Sequence, residues 1–184
     1  MRSPQLMSAG DTAILLVDVQ EKLLPLIDRG DGVRQRCRYL LQAARILNIP
    51  VVATEQYPKG LGSTIPELAE FIASPFEKLT FSSYGIQEVR TKLGELGSPK
   101  VLLCGIEAHV CVQQTAFDLM ADGFRVYLPI DATGSRRASD KEVAIDRMRG
   151  SGITITTAEA AVFEWTERAG TPEFKEISRL VKEN

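Results

Sequence analysis

The chain has 184 residues, with 22 Lys and Arg against 24 Asp and Glu for a formal charge of −2, 44% apolar residues, 25% charged and 7% aromatic. Its length suits one domain of roughly 100–200 residues, and its apolar share can fill a core, which excludes a wholly disordered chain. The charge balance excludes a strongly basic nucleic-acid binder, and no apolar run approaches the roughly 18–20 residues that span a bilayer.

Thr12–Val19 is an apolar run that ends around Asp18 and reads as a first strand. Val33–Leu47 has helical periodicity, with Val33, Cys37, Leu40, Leu41, Ala44 and Leu47 on one stripe, stopped by Asn48 and Pro50. Pro50–Thr54 is a second strand, Gln56–Ser63 a Gly- and Pro-containing loop, Ile65–Ile72 a short helix and Phe76–Leu79 a weak third strand. Gln87–Leu96 is helical and Lys100–Gly105 is a strong fourth strand. His109–Ala121 is a helix closed by Gly123, and Phe124–Ile130 is a fifth strand. Ser139–Met148 is a helix with Ser139 as its expected N-cap, Ile153–Thr157 a sixth strand, and Glu159–Arg168 and Pro172–Val181 are terminal helices. Strands alternating with helices predict a three-layer αβα sandwich around a six-stranded, mainly parallel, Rossmann-like sheet. Residues 1–184 read as a single domain with a loose segment at 1–10. Met1 to Gly10 lacks the apolar stretch of a signal peptide.

Three cysteines, Cys37, Cys104 and Cys111, form no Cys-x-x-Cys pair, and His109 is the sole histidine. An odd cysteine count without an export signal predicts reduced thiols and a cytoplasmic setting. One histidine leaves no multi-His or multi-Cys zinc site to expect.

Sites in parallel sheets lie beyond the carboxyl ends of the strands, which directs attention to three residues. Cys111 follows the fourth strand near the start of a helix, where orphan N–H groups and the helix dipole favour a thiolate and can hold an oxyanion. The alternative is an inert core cysteine, as Cys37 and Cys104 read from their apolar surroundings. Asp18 closes a buried strand, either as a structural carboxylate bonding nearby N–H groups or as a functional acid. Lys78, in Phe76-Glu77-Lys78-Leu79-Thr80-Phe81, reads locally as a surface lysine on an edge strand. His109 is considered as a base for Cys111, but residues two apart on a helix do not face one another. Gly60-Leu61-Gly62-Ser63 lacks the endings of a dinucleotide or P-loop motif, and Arg136 and Arg137 read as a solvated basic pair.

At Asp18-Val19-Gln20, Lys78 and Gly105-Ile106-Glu107-Ala108-His109-Val110-Cys111-Val112 the sequence resembles the isochorismatase-like cysteine hydrolases, which include nicotinamidases and N-carbamoylsarcosine amidases. Thr54–Thr64 and Phe174-Lys175-Glu176-Ile177 are similar in style to the isochorismatase domain-containing proteins. The resemblance implies an Asp–Lys–Cys triad: Cys111 as nucleophile, Asp18 as proton acceptor and donor, and Lys78 holding the thiolate and orienting Asp18. It also implies a non-proline cis peptide between Ile106 and Glu107, and an oxyanion hole made of the N–H groups of Glu107 and Cys111. Glu55-Gln56-Tyr57-Pro58 has no histidine where metal-binding nicotinamidases carry several. A nicotinamidase-type metal site is therefore not expected, and no cofactor is implied.

The leading expectation is a hydrolase acting on a C–N bond of a small amide through a thioester. Gln20, Tyr57, Phe81, Tyr84 and His109 are its candidate substrate contacts. A non-catalytic interaction protein on the same fold and a redox-sensing thiol protein are the alternatives. The expected partners are a small-molecule substrate and further copies of the chain, with neither nucleic acid nor membrane.

Overall fold

A computed structural model describes residues 2–183. Strand β1 (Thr12–Val17) is buried along its whole length. Its side chains alternate between two cores, as the two-residue strand period requires. Ile14 and Leu16 face one cluster, and Ala13, Leu15 and Val17 face the other.

The first cluster is covered by α1 (Gly30–Leu47), α7 (Ala158–Thr166) and α8 (Pro172–Glu183), through Val33, Cys37, Leu40, Leu41, Val162, Trp165, Ile177 and Leu180. The α1 helix stops as its sequence requires. Asn48 takes a left-handed conformation (φ 56°), and its N–H donates to the Ala44 carbonyl. The second cluster is covered by α4 (Gln87–Leu96), α5 (Gln113–Ala121) and α6 (Ala138–Gly150), through Val89, Leu93, Ala116, Leu119, Ala144 and Met148.

The remaining strands are β2 (Val51–Gln56), β3 (Phe76–Lys78), β4 (Lys100–Ile106), β5 (Arg125–Pro129), β6 (Thr133–Gly134) and β7 (Thr154–Thr156). All pairings between them are parallel, in the order β3-β2-β1-β4-β5-β7. Six strands form this path, as expected, and the two-residue β6 pairs with β4 as a seventh. The chain runs outward from β1 through β2 to β3, then crosses back to lay β4 on β1's other side. That reversal opens a crevice at the carboxyl ends of β1 and β4, where ligands bind in open parallel sheets.

Local departures have local causes. β2 reaches Gln56, and the expected loop beyond it holds a one-turn helix, α2 (Pro58–Leu61). The next helix, α3, is only Pro66–Ala69. Ser139 lies inside the first turn of α6 and does not cap it, because the helix begins one residue earlier, after Arg137. Among the described residues no helix is long and apolar enough to cross a membrane.

The N-terminal segment, expected to be loose, is anchored from residue 2. Met7 is fully buried, and its N–H donates to Glu164 Oε2 at 2.8 Å. The Leu6 carbonyl accepts from the buried Lys100 ammonium, which also pairs with Asp11 at 2.6 Å. Tyr127 donates its hydroxyl to the Gln5 carbonyl. Met7 therefore behaves as core, and Met7→Ala is expected to cost about 2–5 kcal/mol in urea unfolding. A change below about 0.5 kcal/mol, typical of surface positions, would mean that the segment is dispensable.

Candidate active site

β1 ends at Val17, and Asp18 turns into the left-handed region (φ 53°). Its N–H donates to the Thr54 carbonyl at 3.1 Å, and its own carbonyl accepts from Gln20 N–H at 2.8 Å. The carboxylate is fully buried. Oδ1 accepts from Thr54 Oγ1 at 2.8 Å. Oδ2 lies 2.7 Å from Lys78 Nζ, its ion-pair partner.

Lys78 ends β3, which is indeed the edge strand, yet its side chain is as buried as that of Asp18. The segment after β3 folds back over the ammonium. Nζ donates to Gln56 Oε1 at 2.7 Å, to the Phe81 carbonyl at 2.9 Å and to the Thr80 carbonyl at 3.2 Å. The local reading of a surface lysine is thereby corrected. Three neutral acceptors and one carboxylate replace the water that a buried ammonium loses.

Cys111 sits in a single π-turn (Ala108–Val112) between β4 and α5. The Ile106–Glu107 peptide bond that precedes the turn is cis. The wide turn sends its two polar side chains apart. The Cys111 thiol interacts with Asp18 and Lys78. His109 Nδ1 meets Ser135 Oγ at 3.0 Å, and its Nε2 is 4.0 Å from Asp140 on α6. Glu107 is held by Arg136, whose Nε and backbone N–H donate to Oε2 at 2.9 and 3.1 Å.

Burial sets the protonation of this cluster. Desolvation, then the neighbouring Asp18 charge, push the Cys111 thiol up to about 12, against the pull of Lys78. Desolvation also raises Asp18 above the usual carboxylate value, with Lys78 and Thr54 opposing. Position at a helix start had predicted a thiolate. Burial beside a carboxylate opposes the thiolate that a helix start favours.

The other sequence candidates divide. Gln20 is fully buried and works as a strap: its Oε1 accepts from Gln56 N–H, and its Nε2 donates to the Gly62 and Gln56 carbonyls. Tyr57 and Phe81 are about half exposed, on the segments that surround Lys78. Tyr84 is not brought to the cluster. It is core, with its hydroxyl on Asp122 and its ring edge-on to Phe124, just before β5 begins. Sequence reasoning did not single out Gln56, Thr54, Ser83 or Thr115, which lie in mixed, partly polar stretches without a distinctive pattern. Glu55, at the position considered for a metal, is committed to Thr64, accepting from its N–H and hydroxyl. A cavity of about 580 Å³ opens between the first turns of α1 and α6; Ser135, the partner of His109, is in its wall, but none of Asp18, Lys78 and Cys111 is.

The isochorismatase domain model matches residues 12–160, most of the chain. The chain belongs to the isochorismatase family. Isochorismatase domain-containing protein 2 of Danio rerio is 42% identical over 176 residues, covering 95% of this chain and 89% of that one. The structure of MAR1 ribonuclease from Caenorhabditis elegans superposes with a TM-score of 0.91 at 38% identity, covering 96% and 92% of the two chains. The YcaC protein of Escherichia coli, described as an octameric hydrolase of unknown specificity, has a TM-score of 0.90 at 22% identity over 98% and 92% of the chains, a likeness of fold. This isochorismatase-family chain thus carries a hydrolase fold.

Proposed function

We propose that the protein is a cofactor-independent hydrolase that cleaves the C–N bond of a small amide through a thioester on Cys111. One observation carries this reading. The buried carboxylate of Asp18 is clamped 2.7 Å from the buried Lys78 ammonium, and the Cys111 thiol interacts with both groups. That is the arrangement of an activated nucleophile.

As Sγ attacks the amide carbonyl, Asp18 Oδ2 takes the thiol proton, and the new oxyanion meets the N–H groups of Glu107 and Cys111. Collapse of the tetrahedral adduct breaks the C–N bond, and the amine leaves with the proton from Asp18. Asp18 then deprotonates a water that attacks the thioester. The acid departs and the proton returns to sulfur. Lys78 holds Asp18 in place throughout.

The name of the nematode relative raises phosphodiester cleavage. A net charge of −2 offers no general attraction for a polyanion, and a thiol–carboxylate pair suits carbonyl addition. The three unpaired cysteines support a reducing, cytoplasmic setting. Assembly into a homo-oligomer, as described for the Escherichia coli relative, belongs to the same reading.

The test is acid quench of protein mixed with a panel of small primary amides, followed by peptide mass spectrometry. The expected result is an acyl adduct on the Cys111 peptide that accumulates before ammonia release reaches steady state. Ammonia released equally by Cys111→Ala protein would end the thioester reading.

A further inference from the structure

Behind the triad, a hydrogen-bonded bridge runs from the base to the nucleophile through three residues. Thr54 Oγ1, at the end of β2, donates to Asp18 Oδ1 at 2.8 Å. Thr54 has one hydroxyl hydrogen, so at its 2.9 Å contact with Ser83 Oγ it must accept, and Ser83 donates. Ser83 N–H donates to Thr115 Oγ1 at 2.8 Å, and Thr115 Oγ1 donates to the carbonyl of Cys111 at 2.6 Å. Thr54, Ser83 and Thr115 are all buried, so water does not compete for these bonds.

We infer that Thr54, Ser83 and Thr115 are positioning residues that commit Asp18 Oδ1, so that Oδ2 alone exchanges a proton with Cys111. The inference rests on the reading of Asp18 as the base. The direction of every donor follows from the inventory of hydrogens. Oδ1 has a donor supplied by Thr54 before and after proton transfer, which leaves Oδ2, the oxygen that faces Lys78, to take the incoming proton. Ser83 is the joint. Its hydroxyl serves the base, and its peptide N–H serves the residue that holds the nucleophile's carbonyl. The geometry of base and nucleophile is set by one residue that touches neither.

Alkylation of Cys111 by iodoacetamide, followed by mass spectrometry across pH, tests this without any substrate. In the wild type the rate should hold a plateau between two limbs. The acid limb is set by Asp18, above the usual carboxylate range, and the alkaline limb by the thiol at about 12. Thr54→Val keeps the shape and removes the hydrogen bond to the ionised carboxylate, which should move the acid limb up by about one to two pH units. Ser83→Ala should move it the same way by less, and Thr54→Ser should restore it. A role confined to packing would leave the limb where it is in Thr54→Val. An acid limb unmoved in both Thr54→Val and Ser83→Ala overturns the bridge while leaving Asp18 as base. A limb that persists unchanged in Asp18→Asn overturns the base itself, and the bridge with it.

Discussion

Lys78→Met is expected to destabilise the fold by about 3–5 kcal/mol and to lower amide turnover by about two to four orders of magnitude. The stability loss follows from what remains. Met fills the volume, but Asp18 is left fully buried with one hydroxyl donor and no counter-charge. Removing the ammonium also removes the chief opposition to the burial that raises Asp18. A carboxyl whose folded pKa lies above its unfolded value binds a proton more tightly in the folded state. Its stabilising share is full below the unfolded pKa and is lost as pH rises through the folded one. Urea unfolding of the variant should therefore show its deficit shrinking from neutral pH toward acid, as Asp18 takes a proton. The double variant Asp18→Asn/Lys78→Met should recover most of the stability and none of the turnover. Equal unfolding midpoints for wild type and Lys78→Met at neutral pH would show that the pair is not desolvated.

Gly105→Ala is expected to cost at least about 4 kcal/mol, the range reserved for severe backbone conflict, and to yield little folded protein. Gly105 pairs with Val17 across β1 and β4, one residue before Asp18 on one strand and one before Ile106 on the other. Its φ is +116°, which L side chains rarely adopt. An added Cβ would stand 2.1 Å from the Val17 carbonyl oxygen and 2.8 Å from its nitrogen, both backbone atoms that cannot swing away. The two central strands would have to separate where Asp18 leaves one and the turn that carries Cys111 leaves the other. Thermal unfolding of whatever soluble protein forms is the measurement. A wild-type midpoint would refute the close approach.

Much of this architecture is legible in the chain because parallel strands are covered on both faces. Ala13–Val17 and Val101–Cys104 are therefore almost unbroken apolar runs, which few other structures require. Asp18 and Cys111 were found by the same logic, each standing where such a run or the turn after it meets the carboxyl end of the sheet. Lys78 was not legible locally. Three residues of edge strand carry no burial pattern, and its environment is made by backbone carbonyls of Thr80 and Phe81, which have no sequence signature. Tyr84 was misplaced for the opposite reason. An aromatic residue near the right strand end resembles a pocket wall, while its hydroxyl partner Asp122 lies 38 positions away. A helix start beside Cys111 is visible in sequence, whereas the desolvation that raises its thiol is not.

The triad atoms are drawn from the ends of β1, β3 and the turn after β4, and β1 meets β4 by joining Thr12 with Lys100. Asp18, Lys78 and Cys111 come from three segments well separated along the chain. Parallel pairing at such separations comes late, because loop closure must precede the contacts that reward it. A truncated or nascent chain that has not passed β4 thus carries Asp18 and Lys78 without Cys111. Reactivity at Cys111 is a property of the completed sheet, and its recovery during refolding should coincide with the global transition and not precede it.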